Sequence, residues 1–179
     1  MILMYSAGIA ALAEGKYEAL KITLETPVQT SHSGTGTRLP ILVPIVSAMT
    51  AIHDQFKWLP GHDRNYIPRS EYLFKFLQPV LEDALFLGRN YEPLFDEFEV
   101  LVALVYVDVT EHDWGPPGRF GWKQRRGYGE SPFDQVVEQA KKQGPKWGPF
   151  SVGLFQGSID RFVEITEKYR ALLNRLPWF

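Results

Sequence analysis

Apolar residues along this chain recur mostly at the three- and four-residue spacing of helix faces, not at the two-residue spacing of half-buried strands. The longest such stretch is Tyr91 to His112, YEPLFDEFEVLVALVYVDVTEH. Pro93 suits a first helical position, and Glu92, Asp96 and Glu97 put negative charge at the favourable end of a helix dipole. Leu94, Phe98, Leu101, Val102, Val105 and Val109 then fall on one face. Val100, Val102, Val105, Val107 and Val109 are β-branched and would also suit a buried strand. Length decides for helix, because about twenty residues without a further Gly or Pro far exceed a typical strand. A helix apolar on nearly all sides belongs inside, so residues 91–112 are predicted as a central buried helix.

The rest of the pattern supplies helices to pack around it. Residues 2–14, with small side chains at Ala7, Gly8, Ala10, Ala11 and Ala13, predict a helix that another can approach closely. Gly15 breaks it, and Lys16 to Glu25 starts a second, which makes an αα-hairpin over 2–25. Pro27 to Thr37 is Gly/Ser/Thr-rich and reads as a loop. Leu42, Ile45, Met49, Ile52, Phe56 and Leu59 predict a third helix across Leu39 to Leu59, with Pro40 near its start. After a loop over 60–69, Ser70 is read as the cap of a fourth helix, kinked at Pro79. Its apolar side is Tyr72, Leu73, Phe76, Leu77, Val80, Leu81 and Leu85, and its polar side Glu71, Lys75, Gln78 and Asp83. Residues 113–130 read as a long basic and aromatic loop. Ser131-Pro132 opens a helix that Gly144-Pro145 stops, and a last helix from Ser158 ends at Pro177, with Trp178 and Phe179 folding back. The expectation is all-α: one domain over residues 1–179, an irregular bundle of about seven helices with no strand pair.

Composition narrows the function classes. With 179 residues and 45% hydrophobic content, the chain suits one domain with a sizeable core. No run reaches the roughly twenty apolar residues that a membrane span needs, so no membrane role is expected. The opening Met1 to Ala13 ends like a secretory cleavage site but lacks a positive leader. Absence of cysteine excludes disulfides, thiol nucleophiles and thiolate-bound metals, and fits a cytoplasmic protein. Net charge is −2 but unevenly spread: residues 115–147 carry seven Lys/Arg against three acids, and the remainder twelve against eighteen. Within that island Arg119, Phe120, Trp122, Lys123, Arg125, Arg126 and Tyr128 interleave cations with rings, a mix that single-stranded nucleic acid uses. The plainer reading pairs the arginines with the acidic remainder and has the rings anchor the loop. Glu97 and Glu99 are read as solvated partners of the helix dipole rather than a catalytic pair.

Three of four histidines precede an aspartate, and the order His32, His53-Asp54, Asp108 is similar to that of the HD-domain phosphohydrolases. The resemblance implies an all-α fold in which these four residues hold a divalent metal that activates water against a phosphate ester. The plainer reading puts His53-Asp54 on a solvated face, His62-Asp63 in a turn and His112 at a helix end. Separately, Gly15, Tyr17, Ala19 and Leu20 within residues 7–25 resemble the helix-turn-helix of a tetratricopeptide repeat, which implies a helical-hairpin packing mode and a scaffold role. No second copy follows at about 34 residues. The opening AGIAALAEGKYEAL, the GRFGW segment and the closing RALLNRLPWF also resemble C-terminal helical regions of bacterial multidomain proteins of the defence type. That resemblance implies a domain that regulates or tethers a neighbour, as does an opening that falls inside a helix with no polar lead-in.

No P-loop, dinucleotide fingerprint, G-x-S-x-G or H-E-x-x-H is present. The sequence therefore points to a non-catalytic interaction or scaffold domain without a cofactor, bound to a protein partner or neighbouring domain in a larger bacterial assembly. A nucleic-acid-binding domain and an HD-type phosphohydrolase are the alternatives.

Overall fold

A computed structural model describes residues 1–29, 36, 38–123 and 131–178. Among these residues the fold is all-α, with seven helices of nine residues or more and one small antiparallel strand pair. In order they are α1 (Ile2–Ala13), α2 (Tyr17–Glu25), β1 (Pro27–Gln29), β2 (Arg38–Pro40), α3 (Leu42–Ala51), α4 (Pro68–Leu85) and α5 (Tyr91–Thr110). Then follow the short α6 (Phe120–Lys123), α7 (Pro132–Gln143), the short α8 (Gly148–Ser151) and α9 (Ile159–Arg175).

The stretch with both helix and strand character is helical throughout. In α5, Phe95, Phe98, Val100, Leu101, Ala103, Leu104 and Val105 are completely buried. Neighbours on several sides, α1, α3, α4, α7 and α9, bury α5 all round from Phe98 to Val107, so the β-branched residues cost it little. Close packing by α1 depends on a missing side chain. A Cβ on Gly8 would lie 1.9 Å from Cε2 of Phe98, so only glycine lets the two helices meet there. Gly15, at φ +62°, turns the chain from α1 into α2, and the Lys16 N–H donates to the Ala11 carbonyl at 2.7 Å.

Four expectations are corrected. Residues 27–40 contain a strand pair, in register Pro27 to Pro40, Val28 to Leu39 and Gln29 to Arg38, where a loop and a helix start were expected. Pro40 ends β2 at the margin of the ladder, where a residue without an N–H is tolerated. The third helix is shorter than predicted, because α3 stops at Ala51 and a 3-10 segment, His53–Trp58, continues the chain. Helix α4 begins at Pro68, so Ser70 lies inside it and its hydroxyl turns into the protein. The predicted loop over 113–130 contains the helical turn α6.

The predicted serine cap at Ser131 forms, and Ser158, read as the start of the last helix, caps it too. Asp134 N–H donates to Ser131 Oγ at 3.1 Å and Arg161 N–H to Ser158 Oγ at 3.3 Å. Around α8 a second aromatic cluster of Trp147, Phe150, Phe155 and Phe162 packs edge to face. Trp178 returns onto the fold as expected: it is buried against Gly121, and its indole N–H donates to the Leu173 carbonyl at 2.9 Å. Phe179 lies outside the described residues. Among the described residues no helix is long and apolar enough to cross a membrane.

Candidate functional site

Glu92, Asp96 and Glu99 follow one another at i, i+4 and i+7, which stacks them on one side of α5. They run from surface to interior: Glu92 is exposed, while Asp96 and Glu99 are 1% and 2% exposed. Carboxylates this deep need partners, because a bare buried charge costs several kcal/mol on the order of a whole domain's stability.

Glu99 finds partners on three separate elements. Its Oε1 accepts from the Tyr5 hydroxyl of α1 at 3.0 Å, and its Oε2 from the Ser70 hydroxyl of α4 at 2.7 Å and the Arg119 backbone N–H at 3.0 Å. The last contact again relies on glycine, since a Cβ on Gly118 would sit 2.3 Å from Glu99 Oε2. Burial pushes the Glu99 carboxyl up to about 7, against the opposing pull of the Ser70 hydrogen bond, the Arg69 charge and the Tyr5 hydrogen bond. The expectation that Glu99 is a solvated dipole partner is thereby corrected. Glu97 is half-buried, and burial raises its carboxyl too.

One turn outward, Arg119 and Lys123 meet the other two acids. Arg119 Nη1 donates to Glu92 Oε1 at 3.1 Å and to Asp96 Oδ1 at 3.3 Å, and its guanidinium carbon sits 3.7 Å from the Phe74 ring centre. Lys123 Nζ donates to Glu92 Oε1 at 2.6 Å and also to Asp96. The Lys123 hydrogen bond holds Glu92 below the usual carboxylate range. Trp122 Nε1 donates to Glu71 Oε1 at 3.1 Å, which ties α6 to α4.

These contacts place the sequence-predicted residues. Of the basic and aromatic set, Arg119 and Phe120 are buried, and Lys123 and Trp122 hydrogen-bond to the protein's own acids. The set turns inward here, because α4 and α5 offer carboxylates that the island's cations can neutralise locally. Arg125, Arg126 and Tyr128 lie outside the described residues.

The His-Asp set is not brought together. His53 is half-buried, and burial followed by the nearby Arg69 charge lowers its imidazole below the usual histidine range. Asp54 is exposed and pairs with Lys57 at 2.9 Å, whereas Asp108 pairs with Arg161 Nε at 2.8 Å. His32 lies outside the described residues, and among those described no three His, Asp or Glu side chains are grouped to hold a metal ion.

A second feature lies on the outside of α4. Leu73, Leu77 and Leu81 face the core, whereas Phe76 and Val80, expected on the same packed side, are 43% and 57% exposed. With Pro79 and Ala84 also exposed, the outer face of α4 is largely apolar, broken by Lys75 and Asp83. Phe76 stacks on Tyr72, and Phe86, just beyond the helix end, is 89% exposed. Trp58, 86% exposed, comes from the 3-10 segment that packs against α4. The apolar stripe of α4 is thus wider than the core that covers it. No protein family, curated protein or solved structure matches the chain.

Proposed function

We propose that this chain is a non-catalytic helical interaction domain that docks a protein partner, or a neighbouring domain of a larger assembly, on the outer face of α4. The observation that carries the reading is the exposure of Phe76 and Val80 on that helix and of Phe86 just past its end, with a further exposed aromatic, Trp58, on the 3-10 segment that packs against α4. Single exposed apolar residues are ordinary, but several large ones along one helix mark a contact face. Covering a large apolar side chain contributes about 1.5–3 kcal/mol, and aromatic residues dominate the energetics of such contacts.

The buried network supports the same reading. Glu99, Asp96 and Lys123 are engaged by the chain's own groups and Arg119 pairs with Glu92 and Asp96, its Nε alone lacking an acceptor, so together they fasten the 117–123 segment to α4 and α5.

Coexpression with proteins encoded beside this one tests the proposal. A partner that copurifies with the wild type and is lost with the Phe76→Ser/Val80→Ser double variant, while the fold's circular dichroism is retained, is the expected result. A partner held equally by both forms contradicts docking on α4.

A further inference from the structure

Arg69 is the second residue of α4 and is 3% exposed, yet among the described residues no carboxylate lies within ion-pair distance of it. Its Nη2 donates to the Pro117 carbonyl at 3.1 Å, and its Nε has no acceptor. Glu99 is near enough to feel its charge but gives its oxygens to Tyr5, Ser70 and Arg119. A guanidinium stays charged at any ordinary pH, so burial without a counter-ion is costly.

Arg69 is also part of the wall of a cavity of about 410 Å³ between the 3-10 segment and the start of α4. Thr50, His53 and Lys57 line the polar part, and Tyr66 and Trp114 contribute aromatic surface at 37% and 36% exposure. The one acid there, Asp54, is 83% exposed and engaged by Lys57, which leaves the cavity net cationic through Arg69. The N-terminal end of α4, which no side chain caps, adds the positive pole of an 18-residue helix.

We propose that this cavity binds a small oxyanion, a carboxylate or phosphate monoester carried on a flat apolar body, with Arg69 as its recognising group. A charged guanidinium N–H at the cavity wall hydrogen-bonds an oxyanion strongly, and Tyr66 and Trp114 give the ligand's body an aromatic wall. Binding here is separate from docking on the outer face of α4.

Titration with benzoate, phenyl phosphate and inorganic phosphate at matched ionic strength tests it, read from the Arg69 Nε–H cross-peak, which is assigned by its loss in Arg69→Lys. The expected result is saturable binding of benzoate or phenyl phosphate, tighter than inorganic phosphate by about fivefold. Whichever aromatic probe binds identifies the head group. Isothermal titration should show that binding at least about tenfold weaker in Arg69→Lys, because the shorter ammonium replaces the guanidinium N–H groups at the cavity wall. Trp114→Ala, at the rim, should weaken it by about fivefold with the helical circular dichroism kept, and it serves if Arg69→Lys does not fold. No saturable shift with either aromatic probe up to about 20 mM, or unchanged affinity in the folded variants, overturns the proposal.

Discussion

Replacing Glu99 by Gln isolates the energetics of the buried network. Protonated Glu99 can accept from Ser70 and Arg119 at Oε2 while donating to Tyr5 from the other oxygen, and a glutamine amide reproduces that pattern with little change in shape. The folded protein holds the Glu99 proton up to about 7, against an ordinary value of 4.5. Folding therefore binds this proton more tightly than the unfolded chain does. The resulting stability is fully present below the unfolded value and is lost as pH rises through the folded one. At about 1.4 kcal/mol per pH unit, the window corresponds to about 3 kcal/mol. Urea unfolding of wild type and Glu99→Gln, followed by circular dichroism between pH 4.5 and 8.5, measures it. Carboxylates shifted the other way, such as Glu92 and Asp134, titrate in both proteins and largely cancel in the comparison. The stability difference should move toward the glutamine form by about 3 kcal/mol from the acidic to the basic end. A difference flat with pH would show that Glu99 is ionised throughout, and the argument from burial would fail.

Arg119→Met should cost about 1–3 kcal/mol in urea unfolding, because the buried Asp96 keeps Lys123 but loses its second cationic partner, and adding Asp96→Asn should recover part of that loss. Gly8→Ala should lower stability by about 1–3 kcal/mol, since the new methyl meets the Phe98 ring and α1 must move off α5. Ser131→Ala should cost about 1 kcal/mol through loss of the α7 cap, visible as a lower melting temperature.

Much of the fold was legible because its signals are local. Start and stop chemistry at Ser131-Pro132, Gly144 and Ser158 marked helix ends, and the small residues of α1 announced the close contact that Gly8 makes with Phe98. The strand pair was not legible, since three residues a side carry no period to read. The candidate site was misread for a different reason. Acids in a helix's first turns usually face water, but α5 was already expected to be buried on all sides, and that expectation should have demanded partners for Asp96 and Glu99. The partners Tyr5, Ser70 and Arg119 come from 94, 29 and 20 residues away, so only the fold names them. The outer face of α4 was hidden because periodicity marks which positions are apolar, not how many of them the rest of the chain covers.

The central claim is that the outer face of α4 meets another protein. Site-specific photocrosslinking in cells tests it directly, with a photoreactive residue at position 76 or 80 and, as control, at the exposed Glu138 on α7. The account predicts a discrete crosslinked protein from positions 76 and 80 and none from 138. Absence of a product at both α4 positions, or equal products at all three, would contradict it.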